Sequence, residues 1–185
     1  MRLDLQWWDE FLPRCNGTAS FLQIDWTRAD TMHLYTGASV TQGLGCFFNG
    51  AWFNSRWPSW VGHVNPPIEY LEMTPILLAL VVWAKRLKGK KLIFHCDNED
   101  ATHAWENLGS TNPGVLDLMR RMCGVAAMHN LTLTLKNIRG INNNVADALS
   151  RFQDPRFRRC APHPDQHATD FPRKLLEQLQ QTYAD

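Results

Sequence analysis

The chain predicts an α/β fold: a mixed five-stranded sheet, an antiparallel three-strand meander followed by parallel strands, with helices on both faces. Three observations carry this. Three short β-rich runs stand in a row, Thr31–Gly37, Gly43–Asn49 and Ala51–Trp57, with the hairpin dipeptide Asn49-Gly50 between the last two. Helical and extended patterns then alternate to residue 152. The run Lys91–Cys96 has the β-rich apolar character of a strand buried within a sheet. Strands first and alternating elements afterwards build a mixed sheet covered by helices.

The elements follow in order. Leu3, Trp7, Trp8, Phe11 and Leu12 recur at helical spacing and Pro13 ends them, so residues 2–12 predict a helix. Asn16-Gly17 signals a turn, and Phe21 to Trp26 is a short extended run. After the meander, Pro66-Pro67 opens a helix, because a first turn does not need their missing N–H groups. It runs to about Leu87 and stops near Gly89, with Pro75 predicting a kink or boundary inside it. Asn98–Leu108 reads as helical. Asn112-Pro113 starts a helix reaching about His129, Leu131–Ile138 alternates like a half-buried strand, and Val145–Phe152 is a short helix. Residues 153–172 hold four of the ten prolines and read as a linker or surface-wrapping segment, before an amphipathic helix over Arg173–Tyr183. The expected division is 1–30, an N-terminal helix and connection; 31–152, the main domain; and 153–185, the tail.

Composition excludes several classes. At 185 residues, 44% apolar and with eight tryptophans, the chain is long enough to bury a core. A net charge of +1 leaves no global field toward nucleic acid or membrane, so any nucleic-acid surface must be local. Five scattered cysteines without a CxxC pair read as reduced thiols, and no apolar N-terminal stretch suggests a signal peptide, so an intracellular location is expected, cytoplasmic or nuclear. The longest apolar run, Ile76 to Ala84, is too short to span a bilayer.

Three acids stand in informative contexts. Asp97 ends the buried run Lys91–Cys96, where polar groups at strand ends face ligand crevices. Glu72 interrupts an apolar helical stretch, an expensive place for a carboxylate without a partner or a cation. Asp147 lies at the start of a helix, where the macrodipole favours its charge. Each has an ordinary alternative: Asp97 as a helix N-cap, Glu72 on a solvated face, Asp147 as a first-turn stabiliser.

Taken together, the segments resemble the ribonuclease H domain of retrotransposon reverse transcriptases, most of all that of DIRS-type (tyrosine-recombinase) elements. The carriers are Tyr35-Thr36-Gly37-Ala38-Ser39, Glu72-Met73-Thr74-Pro75-Ile76, Cys96-Asp97-Asn98-Glu99-Asp100-Ala101 and Val145-Ala146-Asp147-Ala148-Leu149-Ser150-Arg151-Phe152-Gln153. Leu5-Gln6-Trp7-Trp8-Asp9-Glu10-Phe11-Leu12-Pro13 resembles the segment preceding this domain in such polyproteins, and the likeness covers roughly residues 5–160. The resemblance implies a ribonuclease H-like sheet and a centre in which four carboxylates hold two Mg²⁺ (or Mn²⁺) ions about 4 Å apart to hydrolyse RNA in RNA–DNA hybrids. It assigns catalytic and metal-binding roles to Glu72, Asp97 and Asp147. The implied partners are an RNA–DNA hybrid and the reverse transcriptase domain of the same polyprotein, with no membrane.

This chain departs from the pattern where it matters most. Gly37 stands where the resemblance implies the Asp that bridges both ions. Asp30, at the other end of the expected strand, would lie more than about 20 Å away, and Asp25 is outside the motif. Losing a central catalytic group implies a loss of turnover on the order of 10³ or more. Asn137 replaces a histidine that relatives carry ten residues before the last Asp, and asparagine does not shuttle protons near neutral pH. Thr74 replaces a usual tyrosine, whereas Asn143 is retained. Three readings stay open: a crippled ribonuclease H, a non-catalytic nucleic-acid-binding or scaffold domain, and an enzyme in which water or a neighbour replaces the missing ligand.

Other signals are weaker. Cys160, His163 and His167 have a spacing a zinc site uses, without an evident fourth ligand. The basic run Lys85–Lys91 and the arginines Arg151, Arg156, Arg158 and Arg159 with Phe152 and Phe157 could touch phosphates or hold a strand, or else be a solvated helix end and a packed tail. Trp52, Trp57 and Trp60 read as core and sheet-face residues, with base stacking open to Trp57 and Trp60.

Overall fold

The Asn49-Gly50 hairpin forms as its dipeptide requires. Both residues take positive φ, 48° and 95°, the mirror-image turn that matches strand twist. In a computed structural model that describes residues 2–15, 17, 27–28 and 31–179, this turn joins β3 (Gly43–Phe48) to β4 (Ala51–Arg56), preceded by β2 (Leu34–Ala38). Helix α1 (Arg2–Phe11) and β1 (Thr27–Arg28) come earlier. Helices α2 (Ser59–Val64) and α3 (Ile68–Leu87) follow, then β5 (Lys91–Cys96), α4 (Glu99–Glu106), α5 (Pro113–His129), β6 (Thr132–Asn137), α6 (Asn144–Ser150), α7 (Asp154–Cys160) and α8 (Arg173–Gln178).

The expected elements fall close to these bounds, with informative exceptions. Helix α3 continues through Pro75 without a boundary. Helix α7 forms at the start of the segment read as a linker or surface-wrapping tail, and α2 forms between the meander and Pro66, where no element was expected. The extended run at 21–26 lies outside the described residues.

The fold is α/β, but its strands pair as two sheets among the described residues. Strands β2, β3 and β4 form the antiparallel meander, and β1, β5 and β6 form a parallel sheet in the order β1-β5-β6. Strand β2 passes β5 with Cα atoms within 8 Å, without the pairing that would join the two into one sheet of five. Part of the edge β5 would need is taken by β1, which pairs at Leu92 and Ile93.

The meander is covered on both faces. Its register aligns Thr36, Cys46 and Phe53 in one row and Gly37, Gly45 and Asn54 in the next. Opposed residues share a face and successive ones alternate. The first row faces the main core, where Cys46, Phe53, Leu77, Leu80, Trp83, Leu118 and Met122 are buried together. The second row faces α6. A β-carbon on Gly45 would lie 2.3 Å from the Leu149 Cβ, so only glycine admits the helix this closely, and Asn54 Nδ2 donates to the Leu149 carbonyl at 3.2 Å. On that side Phe47, Val145, Leu149 and Phe157 make a smaller core.

The tail runs along β4. Asp165 N–H donates to the Gly50 carbonyl at 2.9 Å and Thr169 N–H to the Trp52 carbonyl at 2.6 Å. Trp52 Nε1 returns a bond to the Asp165 carbonyl at 2.8 Å, and Phe171 stacks on Phe53 at 4.9 Å. The strap covers backbone groups that an edge strand otherwise leaves exposed. No helix among the described residues is long and apolar enough to cross a membrane.

Candidate functional site

Three of the motif positions are brought to one corner by different elements. Glu72 comes from the second turn of α3, which starts after Pro67 in an extended conformation. Asp97 follows the last residue of β5. Position 37 lies in the middle of β2, on the face that α6 covers.

Glu72 is only 7% exposed, which decides against the solvated face. Its carboxylate accepts the Ala38 N–H. Burial, reinforced by the negative charge of Asp97, pushes its carboxyl up from 4.5 to about 8, with the Ala38 bond opposing and Asp147 adding a smaller push.

Asp97 is exposed and does not cap the following helix. Asn98 does so, its Oδ1 accepting the Ala101 N–H at 2.7 Å. Gly140 closes in from the loop before α6, where a β-carbon would stand 3.0 Å from Asp97 Oδ2.

Cys96 joins the two acids. Ligand atoms of Glu72, Cys96 and Asp97 all lie within 4.8 Å of one another. Burial and the neighbouring Glu72 push the Cys96 thiol up to about 12, so it is a neutral thiol unless a cation displaces its proton. Strand alternation would put residues 96 and 97 on opposite sides. They converge because β5 ends at Cys96 and the chain bends at Asp97.

Asp147 is nearby but engaged. Its Oδ1 accepts Arg151 Nε at 2.7 Å and its Oδ2 accepts Arg156 Nη1 at 2.5 Å. Partial burial pushes its carboxyl up, but the two guanidinium groups outweigh that and hold it below the usual carboxylate range. Asp147 is thus a first-turn residue whose carboxylate serves an ion-pair network.

The slot at position 37 is crowded. A β-carbon there would meet Ala146 Cβ at 3.1 Å and Asn143 Nδ2 at 3.2 Å. Asn143 is buried and donates from Nδ2 to the Thr36 carbonyl at 2.8 Å, stapling the start of α6 to β2. Asn137 ends β6 in register with Cys96 and is exposed. Thr74 bonds the Tyr70 carbonyl at 2.8 Å inside α3.

These residues fit one divalent cation, held by Glu72 and Asp97 with the Cys96 sulfur beside them. They do not fit two. Position 37 offers no side chain, and both oxygens of Asp147 already hold cationic groups.

The other signals resolve simply. Among the described residues, Glu72, Cys96 and Asp97 are the one cluster with metal-ligating spacing; Cys160, His163 and His167 do not form one. Trp60 is buried, which removes it as a stacking platform. Trp57 is half-buried and donates from Nε1 to the Ser39 carbonyl at 2.6 Å. Arg86, in the basic run, lies 4.3 Å over the Phe48 ring. A cavity of about 470 Å³ between α1, α3 and α5 is lined by none of the three acids.

Sequence reasoning missed Cys96 as a site residue, and it read Arg156 as a phosphate contact or packed-tail residue and not as the partner of Asp147. The adjacency of Cys96 to Asp97 was a usable signal. Arg156 carried none, because its reach to Asp147 depends on how α7 folds back. No protein-family model matches the chain, and no curated protein matches it.

Proposed function

We propose that this chain is a ribonuclease H-like domain of retroelement reverse-transcriptase descent, with a reduced hydrolytic centre and a retained affinity for RNA–DNA hybrids. One observation carries the reading. Positions 37, 72 and 97, far apart in sequence, meet at one corner through Ala38 on Glu72 and Asp97 beside Glu72, and Asp147 stands next to it through Ala146 against Gly37. In this reading β2–β4 and β5–β6 correspond to the family's mixed five-stranded sheet, with β2 lying next to β5 and the two-residue β1 an addition on β5. The cation is Mg²⁺ or Mn²⁺, bound singly and weakly, and the natural partner is the reverse transcriptase domain of the same polyprotein.

A second reading, a purely non-catalytic nucleic-acid scaffold, is favoured by the engagement of Asp147 with two arginines. Two assays separate the readings. The first is binding of a labelled RNA–DNA hybrid against duplex DNA of the same sequence. The second is cleavage of that hybrid with Mg²⁺ or Mn²⁺, with Glu72→Gln as background. The first reading expects preferential hybrid binding and cleavage on the order of 10³-fold or more below an intact two-metal centre. Cleavage at the Glu72→Gln background level with hybrid binding intact selects the scaffold. Equal affinity for hybrid and duplex DNA would sink the first reading, and binding to neither would sink both.

A further inference from the structure

The disagreement between the donor set and a two-ion centre has a structural cause. Both oxygens of Asp147 face guanidinium groups from different places. Arg151 lies one turn along α6, and Arg156 reaches back from α7. Arg156 is the better placed of the two. Its Nη1 bonds Asp147 Oδ2 at 2.5 Å and Gln153 Oε1 at 3.0 Å, while its Nη2 bonds Asn144 Oδ1 at 2.9 Å. Three acceptors thus hold one planar group.

Surface ion pairs often form loosely because long side chains lose entropy on pairing. Arg156 is presented by a helix seated independently of the pair. Its neighbour Phe157 is buried, against Phe47 at 6.2 Å and Trp52 at 5.1 Å between ring centroids. Helix α7 therefore fixes the backbone from which Arg156 reaches, and only the side chain itself has to be ordered.

We propose that Arg156, assisted by Arg151, is a built-in counter-cation that holds Asp147 and excludes a second metal ion from the site. The proposal rests on the ribonuclease H-like reading for the identity of the site. It deepens that reading by assigning the tail helix α7 a role in setting how many cations the site takes. Arg156 is a positioning residue here, and it touches no reacting atom. A divalent ion at Asp147 would have to displace two guanidinium groups and then lie beside them.

The test is Mn²⁺ titration of the full chain, by calorimetry and by the spin-resonance signal of free Mn²⁺. Wild type is compared with Arg156→Gln, Arg151→Gln, the double variant, and the double variant carrying Asp147→Asn. Wild type is expected to take at most one Mn²⁺, lost in Glu72→Gln. The double variant is expected to gain a second equivalent, or tenfold tighter binding of the first, and to lose that gain with Asp147→Asn. If the double variant does not fold, the single variants carry the test, each expected to tighten binding at least threefold. Unchanged stoichiometry with affinity within twofold across the arginine variants overturns the proposal, as does wild type that already binds two ions. Absence of any Mn²⁺ in wild type counts against the cation site of the broader reading alone. The gain on removing the arginines still decides the counter-cation role.

Discussion

Replacing Glu72 with glutamine is expected to stabilise the metal-free protein at alkaline pH and to do little at acidic pH. The magnitude follows from the carboxyl's surroundings. Burial beside Asp97 raises it from 4.5 to about 8. The folded state therefore holds this proton more tightly than the unfolded chain does. Its contribution to stability is fully present below about pH 4.5 and is lost as pH rises toward 8, at about 1.4 kcal/mol per pH unit. The cost of a charged Glu72 above pH 8 is then about 5 kcal/mol. Glutamine has nearly the same shape and no charge to desolvate. Urea unfolding in chelator between pH 5 and 8.5 avoids the ranges where Asp147, lowered, and Cys96, raised to about 12, would contribute. The two proteins should agree within about 1 kcal/mol at pH 5. At pH 8.5 Glu72→Gln should be more stable by about 4 kcal/mol, or roughly 8–16 °C in melting temperature for a chain of this size. Mn²⁺ should narrow the gap at pH 8.5 by stabilising wild type only. A difference that stays constant across this pH range would refute the desolvation of Glu72.

Other outcomes follow from neighbouring contacts. Asn143→Ala removes the buried bond to the Thr36 carbonyl and should cost about 1–3 kcal/mol in denaturant unfolding. Gly37→Ala places a β-carbon 3.1 Å from Ala146 and should cost about 1–3 kcal/mol by overpacking. Ala146→Gly should relieve part of that cost in a double-mutant cycle, and purely additive losses would contradict the crowding. The Cys96 sulfur within reach of both acids favours a softer ion, so calorimetry should find Mn²⁺ bound at least tenfold tighter than Mg²⁺, with Cys96→Ser reducing the ratio.

Local chemistry made much of the fold legible. Asn49-Gly50 specifies its turn through positive φ at both residues. Asn112 announces α5 because its side chain accepts the Gly114 and Val115 N–H groups at 2.9 and 3.2 Å. Lys91–Cys96 forms a strand over the same residues that its pattern marks. Helix α7 was not expected because Pro155 lies in a proline-rich stretch, yet it sits in the first turn, which tolerates it, and α2 starts directly after Pro58 at its N-cap. The split into two sheets had no local signal, since it depends on which strand lies against β5.

The site divides in the same way. The sequence by itself determined which acids stand at a strand end, within an apolar helix and at a helix start, because those contexts are set within a few residues. It also determined that position 37 supplies no ligand. Only the tertiary structure decided that α6 closes over Gly37, that Cys96 turns toward Glu72 and Asp97, and that Arg156 takes Asp147. Those outcomes depend on segments tens of residues apart meeting across the sheet, or on a tail helix folding back. Packing fixes such encounters through distance and direction, neither of which a residue's neighbours in sequence encode.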